Sequence, residues 1–569
     1  MRFLTILSIA MCIMYSAYAQ PRQLDPYHYA IEKNIRVPHG AVVSAHPLAS
    51  EVGAIILQEG GNAVDAAIAT QLALAVVYPG AGNLGGGGFL VGHLSNQKGA
   101  KNIAIDYREK APAKASRNMY LDSAGNAITK LSLDGQLAAG VPGTVAGLFA
   151  SMKYARLPFK KLIAPAIQLA ARGFVITEAE ANGLNEAREQ FIQLNTQPTA
   201  FVKADKWKAG DTLVQPELAR TLELIRDKGA AGFYQGKTAA NIVAEMKRGN
   251  GIITLEDLKN YKAKERKAVV FNYKQYSIVT MPLPSSGGIC LQQLMGMVEN
   301  YPIAKWGFHS PEAVQLMIEA ERRAYADRAS FLGDPDFVKV SAEKLTNKAY
   351  LAQRMKDFVP GKAGTSELTK AGVMPESEET THLSVIDDAG NAIAVTTTLN
   401  GHFGSRTVVG GSGFLLNNEM DDFSVKPGVP NMYGLVGNEA NAIAPQKRML
   451  SSMTPTLVLN KDQVIYSLGT PGGSTIITSV FQTLMNTLEF GLSPEDAINK
   501  PKFHHQWLPD EVMVEKDFPD STIQALQAMG YKVTKRGYIG RTEIIKRIPS
   551  TNTLEAAGDK RGDDSAAGY

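Results

Sequence analysis

Two threonines carry the sharpest chemical suggestion in this chain. Thr380 opens the stretch TTHLSVIDDAGNAIAVTTTLN, and Thr398 falls near its end. Leu383 and Val385 alternate with polar neighbours, as do Ile393 and Val395 on the return, which predicts a hairpin. Asp388-Ala389-Gly390 suits a three-residue loop with Gly390 in the left-handed conformation. That loop pairs Asp387 with Asn391 and, counted outward, Thr380 with Thr398. The two side chains then share a face, their Cβ atoms about 4.5–5.5 Å apart. An ordinary strand pair meets the same spacing, because threonine favours strands. The flanking sequence adds chemistry. A polar, acidic segment ends at Glu379, immediately before the hairpin. Were the chain cut there, Thr380 would carry a free α-amine of pKa about 7.7–8.0, against about 10.4 for lysine. Such an amine takes the proton of its own residue's hydroxyl and makes a weak alcohol nucleophilic without a histidine. Thr398 would hold that oxygen by a hydrogen bond.

The elements that must position this pair are read from pattern. Residues 41–79 predict two helices joined at Glu59-Gly60-Gly61-Asn62, the glycines ending the first. Asn83-Leu84-Gly85-Gly86-Gly87-Gly88-Phe89 has neither the GxGxxG nor the GxxxxGK[ST] spacing, so a nucleotide cradle is set aside for close approach of backbones. NIAIDYR alternates as a strand up to Arg108. Residues 143–260 are mostly helical by pattern, and LPSSGG opens a further helix. GKAGTSELTKAGVMPESEE, 361–379, reads as a mobile linker. After it come short strands with turn signals, TVVGGSGFLLNN, MTPTLVL and QVIYSLGTPGGS. The order is mixed helices first, then sheet-rich, with the break at the stretch that opens on Thr380.

Composition bounds the class. The chain has 569 residues, 44% hydrophobic and 20% charged, with net charge +4. That is a globular composition too long for one ordinary domain. It makes no case for nucleic acid or an anionic membrane surface as partner. MRFLTILSIAMCIMYSAYAQ has a positive start, an apolar run and the small-x-small end Ala17-Tyr18-Ala19. It reads as a secretory signal, residues 1–19, cut before Gln20. An uncleaved anchor is the alternative, though the run is short for a span of about 20 residues. With the signal removed no membrane span is expected. Cys12 leaves with the signal, so Cys290 has no partner, and its apolar helix-like run predicts buried packing rather than a nucleophile. His504-His505 point apart on any regular backbone and lack companion ligands, so no metal is expected.

The hairpin block, GSGFLLNNEMDDFSVKPGVPNMYG, SSMTPT, LGTPGGS and KFHHQWLPDE resemble the γ-glutamyltranspeptidase family. So do GGNAVDAAIA, NLGGGGFL, DYREKAPAKA, GVPGTVAG, LPSSGG and the terminal AAGY. The resemblance covers nearly the whole mature chain. It implies an α+β fold, the four-layer αββα sandwich of N-terminal nucleophile hydrolases. It also implies one precursor that cuts itself into a large subunit, 20–379, and a small subunit, 380–569, which remain paired. It implies no cofactor. Cleavage falls between Glu379 and Thr380, and Thr380 is the nucleophile, in agreement with the hairpin count.

Site residues follow from the same resemblance. A γ-glutamyl donor presents an α-carboxylate and an α-ammonium at one end and the scissile γ-amide further in. Arg108, Ser451 and Ser452 match the family's carboxylate-binding positions, and an arginine can grip two oxygens. Asn400, Glu419 and Asp422 match the ammonium-binding positions. Gly472 and Gly473 match the pair of backbone N–H groups that hold the oxyanion. Tyr433, in PGVPNMYGLVGNEAN, matches the tyrosine of a lid that favours small donors such as glutathione. Taken alone, Arg108 fits a surface ion pair, Ser451-Ser452 a turn and Glu419–Asp422 a solvated acidic loop. The activity implied is γ-glutamyl transfer to water or to an amino acid or peptide amine, by an exported and periplasmic or secreted enzyme. A β-lactam side-chain acylase or polyglutamate-cleaving enzyme of the same fold is the alternative substrate class. A non-catalytic exported binding protein is the alternative outside enzymes.

Overall fold

The computed structural model describes residues 23–95, 101–366 and 380–569. The leader 1–19, the cut before Gln20, Glu379 and most of the linker at 361–379 lie outside the described residues.

Two seven-stranded antiparallel sheets form the centre. One runs in spatial order Ser565–Gly568, Ala41–Ser44, Thr380–Ile386, Ala392–Thr398, Gly87–Leu94, Lys101–Asp106 and Lys264–Arg266. The other runs Asn34–Val37, Thr553–Ala557, Glu543–Ile548, Gln463–Gly469, Thr456–Asn460, Tyr276–Thr280 and Val269–Tyr273. Alternation along each strand sends apolar side chains to both faces. Val42, Leu90, Leu383, Val385, Ile393 and Val395 pack under helices that include Pro47–Gln58 and Ala63–Val77. Val43, Phe89, Val91, Ile386, Ala392 and Ala394 meet Val279, Leu457, Leu459 and Ile545 between the sheets. Ile278, Val458, Leu468 and Ile544 pack beneath Gly287–Val298, Pro311–Phe331 and Ile476–Leu488. The layers are therefore helix, sheet, sheet, helix.

The two predicted helices of 41–79 are present, parted by Gly60 at φ +90° and capped by Asn62, whose Oδ1 accepts from the N–H groups of Val64 and Asp65. The glycine run is a place of close approach. A Cβ on Gly86 would stand 2.0 Å from the carbonyl oxygen of Thr398, and one on Gly88 2.5 Å from that of Thr396. Glycine there lets Gly87–Leu94 lie against the strand that ends in Thr398.

Two expectations are corrected. Thr380 does not divide a helical part from a sheet part, since each sheet draws strands from both sides of it. Strands as short as the four residues Ala41–Ser44 leave too little alternation to be seen between long helices. The predicted strand TVVGGSGFLLNN is instead an irregular turn with an isolated Val408–Leu415 bridge. Gly411 and Gly413 both take positive φ there, which breaks the extended path.

Candidate active site

The hairpin forms in the counted register. Thr380 pairs with Thr398, Leu383 with Val395 and Ile386 with Ala392, and Gly390 has φ +82°. Both threonines are buried in the middle of a seven-stranded sheet, flanked by Ala41–Ser44 and Gly87–Leu94. After Thr398 the chain turns sharply. Asn400 adopts φ +76°, a conformation asparagine tolerates better than most residues. Its N–H donates to Thr398 Oγ1 at 2.8 Å, and its Nδ2 donates to the Asn418 carbonyl at 3.0 Å. Asn83 Nδ2 donates to the Thr398 carbonyl at 2.9 Å and fixes the strand end from the other side.

A cavity of about 20 Å³ opens on this pair. Thr380, Thr398, Arg108, Asn400, Glu419, Asp422, Tyr433, Ser451, Ser452 and Gly473 all line it. Positions far apart in sequence thus converge on one hydroxyl. Gly472 is one residue outside the lining, at φ +137° in the turn that leads through Gly473–Thr475 into the helix Ile476–Leu488. Glu379 belongs to the residues not described.

The charges are arranged differently from the sequence expectation. Arg108 and the carboxylates assigned to opposite ends of a donor hold one another. Arg108 Nη1 donates to Glu419 Oε1 and Nη2 to Asp422 Oδ2. Its Nε donates to the Met449 carbonyl at 3.3 Å. Burial works against the charge on Arg108, yet Glu419, Asp422 and Glu109 keep its pKa above the ordinary value. Burial pushes Glu419 and Asp422 above the usual carboxylate range, against the pull of Arg108. It pushes Glu109, whose Oε2 is 3.6 Å from Arg108 Nη1, up to about 7. These ion pairs close the cavity to roughly the room one water needs.

Tyr433 covers the site. Its hydroxyl donates to the Asn400 carbonyl at 2.6 Å, and its ring lies over Gly473, where a Cβ would stand 2.3 Å from Tyr433 Cδ1. The surrounding loop is tied down on either side of Met432. Asn431 Nδ2 donates to Asp422 Oδ1 at 3.1 Å, and Gln506 Nε2 donates to the Tyr433 carbonyl at 3.2 Å. His504 binds Thr478 Oγ1 through Nδ1 at 2.8 Å and Gln506 Oε1 through Nε2 at 2.9 Å, so it supports the residue that holds the lid. His505 turns the other way, towards Asp510 at 3.3 Å. Tyr325 donates from its hydroxyl to the Ser474 carbonyl and braces the Gly472-Gly473 turn. Sequence inspection missed the roles of Gln506 and Tyr325. Nothing in the local pattern around either residue marks it, because each acts across a tertiary contact. Cys290 is buried, and burial pushes its thiol up to about 12, which leaves it inert.

A four-layer sandwich of antiparallel sheets, with a hydroxyl residue at the head of a central strand facing the cavity, defines the N-terminal nucleophile hydrolase class. The structure of a cephalosporin acylase from Bacillus halodurans has this fold, with TM-score 0.83 and 27% identity over 96% of this chain and 99% of that one. Residues 49–569 match the family model for γ-glutamyltranspeptidase, and the chain belongs to that family. It is 47% identical over 564 residues to the glutathione hydrolase proenzyme of Escherichia coli K12, covering 98% of this chain and 97% of that protein. It is 44% identical over 531 residues to that of Pseudomonas aeruginosa PAO1, covering 92% and 93%. A γ-glutamyltranspeptidase structure from Helicobacter pylori is 49% identical, with TM-score 0.54 over 56% of this chain and 91% of that one.

Proposed function

We propose that this protein is a γ-glutamyltranspeptidase and glutathione hydrolase that matures by cutting itself between Glu379 and Thr380. The Thr380 hydroxyl attacks the Glu379 carbonyl, the amide nitrogen leaves as the new α-amine, and water hydrolyses the resulting ester. The same hydroxyl then serves turnover. The α-amine of Thr380 takes its proton as Oγ1 adds to the γ-amide carbonyl of the donor. Thr398 donates to that oxygen and fixes its direction. The N–H groups of Gly472 and Gly473 stabilise the tetrahedral oxyanion, a contribution of about 10²–10³ in rate per donor. Collapse expels the amine and leaves a γ-glutamyl ester on Thr380. Water, or the amine of an amino acid or dipeptide, resolves it.

Specificity comes from the donor's free amino-acid end. Its carboxylate enters between Arg108, Ser451 and Ser452, and its ammonium replaces Arg108 in part as partner of Glu419 and Asp422, with Asn400 alongside. Glutathione and other small γ-glutamyl compounds are the donors. The observation that carries this assignment is the convergence of a cation, two carboxylates and two serines on the Thr380–Thr398 pair. An acylase reading is kept because a cephalosporin acylase shares the fold and an acylase proenzyme from Pseudomonas sp. SE83 is 34% identical. Turnover of γ-glutamyl-p-nitroanilide, a glutaryl β-lactam and polyglutamate separates the classes, and the first is expected to be far the best. Residues 1–19 act as an export signal, which puts the paired subunits, 20–379 and 380–569, in the periplasm or outside the cell. Among the described residues no helix is long and apolar enough to cross a membrane.

A further inference from the structure

Arg328 lies on the helix Pro311–Phe331 and is 5% exposed. Its neighbours on that helix have carboxylate partners: Arg322 has Asp510, and Arg323 has Glu319 and Asp357. Arg328 makes no direct ion pair among the described residues, and the charge of Asp422 acts on it from the cavity wall. Its Nε donates to Ser286 Oγ at 2.9 Å and its Nη2 donates to Ser452 Oγ at 3.1 Å. Burying a cation with no directly bonded counter-charge is costly, and arginine does not escape by losing its proton. Arg328 is bonded to two hydroxyls, and Asp422, whose charge reaches it, is itself bonded to Arg108.

The two hydroxyls lead to the cavity. A guanidinium only donates, so Ser452 Oγ must accept from Arg328, and its own hydrogen is free to serve the cavity that Ser452 lines. Ser286 likewise accepts from Arg328 and passes its hydrogen to the Ser451 carbonyl at 2.6 Å, while its N–H donates to the same oxygen at 2.8 Å. One side chain thus sets the direction of Ser452 and, through Ser286, anchors the backbone of Ser451. The charge count agrees. An incoming ammonium favours the ionised forms of Glu419 and Asp422 against the effect of burial, and with both ionised Arg108 leaves the site at −1, which opposes a carboxylate. Adding Arg328 gives two positive and two negative groups, the complement of a zwitterionic amino-acid end.

We propose that Arg328 is a positioning residue of the donor-carboxylate subsite: it holds Ser452 and Ser451 in place and supplies the positive field that Arg108, already paired with Glu419 and Asp422, does not. This role rests on the γ-glutamyl donor assigned above. The test compares two anilides, γ-glutamyl-p-nitroanilide and 4-aminobutyryl-p-nitroanilide, which lacks the α-carboxylate. Wild type is expected to prefer the first strongly. If it does not, the donor assignment itself is wrong. Arg328→Gln is expected to raise KM for the γ-glutamyl anilide on the order of ten- to a hundredfold, the range for hydrogen bonds to a charged group, and to leave kcat/KM for the other anilide within about twofold. Should that variant fail to yield two fragments, Arg328→Lys carries the comparison. It keeps the charge but reaches one serine, so a smaller rise confined to the γ-glutamyl anilide is expected. An equal fall for both anilides, in whichever variant matures, would overturn the proposal and leave the donor assignment standing.

Discussion

Thr380 and Thr398 are register partners across an antiparallel ladder, and the N–H of Asn400 donates to Thr398 Oγ1 at 2.8 Å. That bond makes Thr398 Oγ1 an acceptor and fixes its position beside Thr380. Thr398→Ala is therefore expected to slow both self-cleavage and turnover by about ten- to a hundredfold, whereas Thr398→Ser keeps the hydroxyl and most of the rate. Gel densitometry of the fragments and anilide turnover measure the two effects. Equal loss in Ser and Ala variants would show that the hydroxyl is not what matters.

The ion pairs of Arg108 with Glu419 and Asp422 must loosen to admit a donor. Asp422→Asn removes one charge that the donor's ammonium would meet. KM for γ-glutamyl-p-nitroanilide is expected to rise about tenfold or more, with little change for a glutaryl anilide that lacks the amine. A matching rise for both donors would place Asp422 outside ammonium recognition.

How much of this arrangement the sequence displays varies from place to place. Thr380 and Thr398 are legible because a hairpin with a three-residue loop has one register, and both partners lie within a single local element. Gly86 and Gly88 are legible as close-packed backbone because their spacing fits no phosphate loop. The mutual grip of Arg108, Glu419 and Asp422 is not legible. It depends on how an early strand and a late loop fold together. Arg328 is hidden for a related reason. In ERRAYADR it looks like one more charge on an amphipathic helix, and only the fold shows that its neighbours are paired with carboxylates while it is not. The interleaving of strands from both sides of Thr380 also escapes inspection, since four-residue strands carry almost no periodic signal.

Tyr433 reaches both the Asn400 carbonyl and the face of Gly473. Tyr433→Ala is expected to uncover the ester and lower the ratio of transfer to hydrolysis several-fold, and Tyr433→Phe, which keeps the ring over Gly473, to lower it much less. Product analysis with glycylglycine as acceptor gives the ratio. An unchanged ratio in the Ala variant would mean that the lid does not control water.

His382 is buried between the sheets, its ring nitrogens on Thr396 Oγ1 at 2.9 Å and Ser384 Oγ at 3.1 Å. Burial lowers its pKa from 6.5 to about 3. Below pH 6.5 the unfolded chain gains a proton there that the native chain refuses. This site's contribution therefore falls as pH drops from 6.5 towards 3, by up to about 1.4 kcal/mol per pH unit. The Tm advantage of wild type over His382→Gln is expected to shrink between pH 6.5 and pH 4.5. A constant difference across that range would show that His382 is not held neutral.

Everything in this mechanism requires that residue 380 becomes a chain terminus by scission of its own peptide bond and then works through the amine it gains. N-terminal sequencing of the smaller fragment from purified protein, run beside Thr380→Ala, tests it most directly. Wild type is expected to yield a fragment that begins Thr-Thr-His-Leu-Ser, and the variant a single uncut, inactive chain. A wild-type fragment with any other first residue, or a Thr380→Ala protein that cuts normally, would contradict it.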